Sequence, residues 1–357
     1  MRVLVTGGCG FIGSAVIRYG VRKLGATILN IDKLTYAATP EALEDVGKSG
    51  RYNFMRADIC EMAALDKAFS DFAPDAVMHL AAESHVDRSI DGPSVFVRTN
   101  LIGTYTLLEA ARRYWSKMDQ SLRSRFRFHH VSTDEVYGSL DLAAPGFTED
   151  TPYQPRSPYS ATKAGSDHLV QAWGETYGLP IVLTNCSNNY GPWQFPEKLI
   201  PLMIINARRQ KPLPVYGEGR NVRDWLYVED HARALWEVLT KGRPGETYNI
   251  GGDAERQNID VVRTICRLMD GRFPDLAPHE RLIHFVTDRP GHDLRYAIDA
   301  SKLRNELGWV PSVDFETGLA ATVDWYLQQE DWWNSILAQN YDGRRLGVLP
   351  AQQRAAS

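Results

Sequence analysis

Two carboxylates, Asp134 and Glu135, stand side by side in "FHHVSTDEVYG", directly after an apolar run that reads as the end of a strand. Further along, "SPYSATKAGSDHLVQAW" reads as a helix that projects Tyr159 and Lys163, at i and i+4, from one face. A tyrosine is a poor base at neutral pH until a nearby positive charge favours its phenolate, and Lys163 offers one. Thr133 places a hydroxyl at the strand end, within reach of the same substrate oxygen. Neighbouring carboxyls suit an acid and a base working together, because like charges and exclusion of water push one of them upward, and the pair then titrates as a unit. The bland alternatives are a surface Tyr-Lys pair and a carboxylate that merely caps the turn after the strand.

The elements that must position these groups begin at the N-terminus. "VLVTGGCGFIGS" places Gly7, Gly10 and Gly13 between a predicted strand and a predicted helix. Gly7 permits the tight turn, Gly10 lets the backbone approach a pyrophosphate, Gly13 lets helix pack on strand, and the helix N-terminus offers free N–H groups to the anion. In "NIDK", Asp32 ends a second strand where a carboxylate can accept from both ribose hydroxyls. That carboxylate repels a 2′-phosphate and so favours NAD over NADP, a preference that the adjacent Lys33 could offset. An oxidised nicotinamide would add a second positive charge in favour of the Tyr159 phenolate. Asp58, in "RADI", could take the adenine amino group, cap a helix, or do both.

The chain of 357 residues has 43% hydrophobic and 24% charged residues, ordinary values that exclude wholesale disorder and allow a large core. Its net charge of -4, without a long Lys/Arg run, argues against nucleic acid as a partner. Cys9, Cys60, Cys186 and Cys266 lie far apart, with no C-x-x-C pair and no His at ligand spacing, so reduced thiols, a cytoplasmic location and no metal site are expected. The chain opens on the buried-strand pattern "MRVLVTGG", which reads as neither leader nor anchor, and no stretch is apolar for the length that a membrane span requires.

Short runs, "RVLVT", "TILNID", "YNFMRAD", "AVMHLAA", "FRFHHVS" and "IVLTNCS", alternate with longer helical stretches up to about residue 185. Such alternation predicts an α/β fold: a Rossmann-type doubly wound parallel sheet, with a smaller, interleaved α/β substrate-binding domain after it. The expected division assigns 1–185 to the NAD-binding domain, with returning segments at about 225–252 and 301–323. Residues 186–224, 253–300 and 324–345 are assigned to the nucleotide-sugar domain, and 346–357 to a frayed tail. His129 and His130 read as packing or solvent-facing residues, and the tryptophans of "WLYVEDHARALWEVL" as core.

These motifs together resemble the extended short-chain dehydrogenase/reductase family over nearly the whole chain. The resemblance implies a hydride-transfer triad at Thr133, Tyr159 and Lys163. "TGGCGFIGS", "NIDKLTYA", "HLAAESHVDRSI", "VSTDEVYG", "NCSNNYGPWQFPEKLIPL", "LPVYGEGRNVRDWLYVEDHARAL" and "DRPGHDLRYAID" are similar to the nucleotide-sugar 4,6-dehydratases of that family. Departures are "AATPEAL" after Tyr36, Trp193 in place of a smaller aromatic, and a divergent tail.

The implied reaction oxidises C4 of a dTDP-glucose hexose, eliminates water across C5 and C6 with Glu135 as base and Asp134 as acid, and returns the hydride to C6. The implied cofactor is NAD, held by Gly7, Gly10, Phe11, Ile12, Gly13, Asp32, Lys33, Leu34, Thr35, Asp58, Ile59, Leu80, Ala81, Ala82, Thr99, Tyr159, Lys163 and Asn189. The nucleotide-sugar is implied at Ser84, Thr133, Asn188, Lys198, Leu199, Pro214, Val215, Tyr216, Arg223, Asn258, Arg289 and His292. Among these, Arg223 is expected to clamp the diphosphate and Tyr216 to stack on the pyrimidine. A homodimer is implied through the helix ending near Trp115 and the helix bearing Tyr159. The alternatives are a UDP-sugar substrate, an epimerase or decarboxylase on the same cofactor site, and a non-catalytic NAD-responsive regulator.

Overall fold

The structure is a computed structural model that describes residues 1–288 and 291–339. Strands β1 (Arg2–Thr6), β2 (Thr27–Asp32), β3 (Tyr52–Arg56), β4 (Ala76–His79), β5 (Arg127–Thr133) and β6 (Ile181–Cys186) coincide with the six apolar runs. Six more follow: β7 (Asn188–Tyr190), β8 (Leu213–Tyr216), β9 (Val222–Tyr227), β10 (Thr247–Ile250), β11 (Glu255–Gln257) and β12 (Ile283–Val286). The main sheet has the order β10-β6-β5-β4-β1-β2-β3, and its pairs are parallel. From β1 the chain first winds outward to β2 and β3, then returns to the other side through β4. The carboxyl ends of β1 and β4 therefore flank the switch point at which open α/β sheets bind ligands.

Both faces of this sheet are covered, which is why its central strands read as continuous apolar runs. Successive β1 residues point to opposite sides. Val3 and Val5 pack with Val16, Ile17, Leu235 and Trp236, whereas Leu4 packs with Phe69, Leu107, Phe128 and Val170. The helices Phe11–Leu24 and Val228–Lys241 are joined on the first face by Trp236, whose Nε1 donates to Val16 O at 2.9 Å. Trp225 and Trp236 are both buried in cores.

A second core gathers the helices Leu199–Arg208, Asn258–Arg272 and Phe315–Gln328, with Met203, Ile204, Val262, Ile265, Leu319 and Tyr326 buried. The two smaller sheets, β11-β9-β7 and β12-β8, belong to this half. Phe315, Leu319 and Val323, assigned from sequence to the sheet domain, pack instead in this second core. Their i, i+4, i+8 spacing makes one apolar stripe, and it meets the other two helices rather than the sheet. The second return to the first core is made by Leu303 and Trp309.

Among the described residues no helix is long and apolar enough to cross a membrane. All four cysteines are free. Arg289, residues 340–345 and the tail at 346–357 lie outside the described residues.

Candidate active site

The turn after β1 fits a dinucleotide. Gly7 adopts φ +72°, and a Cβ there would lie 2.7 Å from the Ala81 backbone. A Cβ on Gly13 would lie 2.2 Å from Gly7 O, so helix and turn approach each other only because both positions are glycine. Gly10 is the N-cap of the helix Phe11–Leu24 and provides no side-chain cap, and the first turn carries no acidic residue. Its first N–H groups and positive dipole end therefore remain available to an anion. Asp32, at the end of β2, is locked in place by Cys9 N–H donating to Oδ2 at 2.9 Å and Leu34 N–H donating to Oδ1 at 2.8 Å. Burial pushes its carboxyl upward, and those two N–H groups with Lys33 oppose the push.

Lys33 is engaged elsewhere: Nζ donates to Thr99 Oγ1 at 3.2 Å and lies 3.8 Å from Asp58 Oδ2. Asp58 caps no helix. Its Oδ1 accepts from Cys60 N–H at 2.9 Å, closing a turn, and the helix Met62–Phe72 starts from Glu61 without a side-chain cap.

β5 delivers the reactive groups to the same sheet edge. Thr133 ends the strand, and a single 3-10 turn, Asp134–Tyr137, follows. Thr133 Oγ1 accepts from Glu135 N–H and donates to Asp134 Oδ1, each at 3.3 Å. Asp134 is only 1% exposed, and its Oδ2 has no hydrogen-bond partner in the protein. Burial, then the charges of Glu135 and Asp224, hold its carboxyl well above the usual range, outweighing Arg223 and the Thr133 hydroxyl. Asp134 therefore holds its proton more firmly than an ordinary carboxyl does, next to a half-buried Glu135.

The helix Pro158–Tyr177 starts at a capping box of Ser157 and Ser160 with Pro158 in its first turn, which fixes the direction of Tyr159 and Lys163. Both are buried. Lys163 Nζ donates to Val131 O at 2.9 Å and stands 3.5 Å from His130 Nε2. Tyr159 meets opposing influences. Burial and then the Glu135 charge hold the phenol well above its ordinary value, with the Thr133 hydrogen bond opposing, while the ammonium is turned to the β5 backbone.

One cleft collects most of the residues singled out in the sequence. The cofactor set apart from Leu34 and Asp58, the five catalytic residues, and Ser84, Asn188 and Lys198 all line it. Asn188 Oδ1 is buried without a protein partner, and Lys198 Nζ donates to Ser84 O at 3.3 Å.

The remaining substrate residues that the structure describes are not among the lining. Val215 is buried in the second core, against which Leu199 packs, and Pro214 shares β8 with Val215. Asn258 opens the helix Asn258–Arg272, its N–H donating to Asn221 O at 3.0 Å. Arg223 is buried, with Nη1 and Nη2 donating to Val222 O at 2.7 Å and Asp293 O at 2.9 Å, and its guanidinium 4.3 Å from the Tyr296 ring centre. Tyr216 donates to Asp87 Oδ2 at 3.1 Å, which brings it beside the Ser84 loop, and its ring meets His292 edge-on.

The family model described as GDP-mannose 4,6 dehydratase matches residues 4–322. The dTDP-glucose 4,6-dehydratase of Escherichia coli is 58% identical over 361 residues, covering 98% of this chain and 100% of that protein. The chain belongs to the dTDP-glucose 4,6-dehydratase family. The Bacillus anthracis dTDP-glucose 4,6-dehydratase, solved in complex with NAD, superposes with a TM-score of 0.84 at 44% identity, covering 94% of this chain and 99% of that one. A double mutant of the Streptomyces venezuelae dTDP-glucose 4,6-dehydratase, also solved with NAD bound, gives 0.86 at 42% identity, covering 94% and 100%.

Membership of the dTDP-glucose 4,6-dehydratase family accounts for the parallel sheet and glycine turn, but the cleft also has residues that the sequence reading passed over. Glu197 is the main one. Its side chain is 2% exposed, accepting from Arg88 Nε at 2.9 Å and Tyr36 OH at 3.0 Å, with the Arg88 guanidinium 3.8 Å from the Tyr36 ring centre. The one signal was a carboxylate beside Lys198 in the Pro-flanked "QFPEK". Cys186 and Ser187 at the end of β6, and Phe195, also line the cleft. His129 and His130 are packing residues as expected, fully buried and held neutral by burial. His130, however, packs directly under Lys163.

Proposed function

We propose that the chain is an NAD-dependent hydro-lyase that converts dTDP-glucose to dTDP-4-keto-6-deoxyglucose and water. The observation that carries this reading is Asp134: a buried carboxyl with an oxygen that has no protein partner, raised well above its usual range by burial, lining the cleft between Thr133 and Glu135 and close to Tyr159. An epimerase needs only reversible hydride transfer and has no use for such an acid.

NAD, when bound, accepts the hydride from C4, returns it to C6, and brings positive charge beside Tyr159. The glycine turn and helix N-terminus hold its pyrophosphate, and Asp32 accepts from ribose hydroxyls. Tyr159 takes the C4 hydroxyl proton while Thr133 orients that oxygen. The carbonyl formed at C4 makes the C5 hydrogen acidic, and Glu135 removes it. Asp134 gives its proton to the C6 oxygen as that C–O bond breaks, and water leaves. Glu135 then returns its proton to C5 as C6 receives the hydride. Tyr159 has gained one proton and Asp134 has lost one, so a single proton moved between them resets the site.

Lys198, Ser84 and Asn188 meet the sugar-diphosphate portion, and the half of the molecule built from 186–224 and 253–300 meets the nucleotide, with Tyr216 nearest the Ser84 loop. A homodimer is supported by Val97, Ile102, Tyr105 and Tyr177, which are 44–51% exposed on the two helical regions that flank the active site. Such apolar side chains suit a second copy better than water. Free, largely buried cysteines are consistent with a cytoplasmic location.

The test is incubation with dTDP-glucose and with UDP-glucose side by side, reading product mass. Loss of one water from the thymidine substrate is expected, with NAD copurifying. An isomer, loss of carbon dioxide, or NAD binding without turnover would replace this reading by an epimerase, a decarboxylase or a regulator.

A further inference from the structure

Gln194 lines the cleft and has no part in the chemistry above. It lies in the loop that joins β7 to the helix Leu199–Arg208 and is 8% exposed. Its Nε2 donates to Asn189 O at 2.9 Å. Only the NH2 end of the amide can give that bond, so Oε1 is the opposite end, and this oxygen is buried with no partner in the protein. Such an acceptor costs stability until a donor meets it. Asp134 Oδ2 and Asn188 Oδ1 are likewise buried without a protein partner in residues that line the cleft, and the reading above gives both residues a ligand. Gln194 has none.

The loop holds this side chain in a fixed place. Trp193 takes φ +70°, a left-handed conformation rare for a bulky residue, and its ring packs on Trp325 at 4.9 Å and Trp332 at 5.2 Å between centroids. Tyr326 OH donates to Gln194 O, and Phe195 meets Tyr36 edge-on at 5.4 Å. Both flanks of Gln194 are therefore anchored, and its amide rests on Asn189. Asn189 Nδ2 lies 3.6 Å from Cys186 Sγ, and the register partner of Cys186 in β5 is Thr133. Gln194 thus belongs to the end of the cleft where Thr133 and Tyr159 act. The neutral donors that a bound cofactor and sugar bring to that end are the NH2 of the nicotinamide carboxamide and the C2 and C3 hydroxyls of the hexose.

We propose that Gln194 is a ligand-contact residue of the reacting end, whose Oε1 accepts a hydrogen bond from one of these neutral donors and so helps to hold nicotinamide and hexose against each other. The proposal rests on the dehydratase reading. An acceptor placed in this way rejects an analogue that lacks the donor, because its own oxygen is then left unpaired.

The test compares three ligand pairs on the full chain. NAD is set against 3-acetylpyridine adenine dinucleotide, in which a methyl ketone replaces the carboxamide, by competition for binding. dTDP-glucose is set against its 2-deoxy and 3-deoxy analogues by kcat/KM of the holoenzyme. In the wild type, the pair that differs in the donor to Gln194 should be separated by roughly tenfold. Gln194→Met, similar in length and without a hydrogen-bonding amide, should bring that ratio to about one and leave the other two unchanged. Gln194→Glu keeps an acceptor oxygen in the same place and should keep the ratio. Collapse of the cofactor ratio identifies the carboxamide as the donor, and collapse of a deoxy ratio identifies the hydroxyl.

Three ratios unmoved in Gln194→Met would overturn the proposal, as would a ratio that collapses equally in Gln194→Glu. A purely structural role through the Asn189 bond lowers the melting temperature and leaves every ratio as it was. If Gln194→Met does not fold, Gln194→Asn, which draws the oxygen back by one methylene, carries the same comparison. Absence of wild-type turnover would sink the dehydratase reading, while the cofactor competition and equilibrium binding of the three sugar nucleotides still report on Gln194.

Discussion

Replacing Asp134 by Asn changes one property of the site and little else. The side chain is 1% exposed, its Oδ1 accepts from Thr133 at 3.3 Å, and its Oδ2 is buried without a protein partner in a residue that lines the cleft. An amide of the same shape keeps the Thr133 contact and puts an NH2 where the acid OH stood. No buried partner is orphaned, so the stability change should stay within about 1 kcal/mol. What disappears is the proton that can be released to the C6 oxygen. General acid help is worth roughly 10²- to 10⁴-fold in rate, or about 3–5 kcal/mol of barrier. Asp134→Asn should therefore oxidise C4 of dTDP-glucose at close to the wild-type rate, accumulate reduced nicotinamide, and release the 4-keto-6-deoxy product about 10²- to 10⁴-fold more slowly. Rapid mixing, with nicotinamide absorbance for the first step and product mass for the second, separates the two. Elimination at the wild-type rate would show that another group supplies the proton. Equal loss of both steps would place Asp134 in the oxidation instead. The same carboxyl is raised in the folded state, so wild-type stability should fall relative to Asp134→Asn as pH rises from about 4, a trend that calorimetry reads without substrate.

Three further outcomes are expected. Tyr159→Phe should slow C4 oxidation and with it everything downstream, so that, unlike Asp134→Asn, no reduced nicotinamide builds up on mixing. Gly13→Ala puts a methyl 2.2 Å from Gly7 O and should abolish copurification of NAD, measured by absorbance of the purified protein, while costing about 1–3 kcal/mol in denaturant unfolding. Asp230 is held below its usual value because hydrogen bonds from Ser312, Arg233 and the Ser312 and Val313 N–H groups outweigh burial. Its contribution is therefore present above the unfolded carboxyl value near 4 and lost on acidification below it, and Asp230→Asn should melt lower than the wild type at pH 7 by an amount that shrinks toward pH 3.

The parts of this molecule that were legible in the sequence are those determined by local pattern. β1, β2 and β6 are buried on both faces, so their apolar runs have no competing period, and the Gly7 to Gly13 turn is constrained by close approach that only glycine permits. Tyr159 and Lys163 share a helix and hence a face. Contacts made across long stretches of chain were not legible. Tyr36 meets Glu197 at a separation of 161 residues, and no local feature of either segment announces it. Arg223 reads as a diphosphate clamp because a guanidinium between Gly/Pro-rich loops fits one, and the bonds that Nη1 and Nη2 give to the Val222 and Asp293 carbonyls are not signalled by that pattern.

The least legible quantity was protonation state, and the chemistry depends on it. Asp134 and Glu135 are neighbours with nearly the same intrinsic acidity, and the sequence assigns them opposite roles only by analogy. In the fold, the 3-10 turn after β5 buries the first and leaves the second half-buried, and the second's charge then raises the first. The same Glu135 charge raises Tyr159, so the group that readies the acid also opposes the base that must act before it. Glu135 loses that charge only after C4 is oxidised, when it takes the C5 proton, so the positive charge of bound NAD has to outweigh it during the first step. A variant that neutralises Glu135 in advance, Glu135→Gln, should therefore block elimination while easing deprotonation of Tyr159, and the pH limb for C4 oxidation should move downward. An unmoved limb would mean that the two groups are not coupled through the cleft.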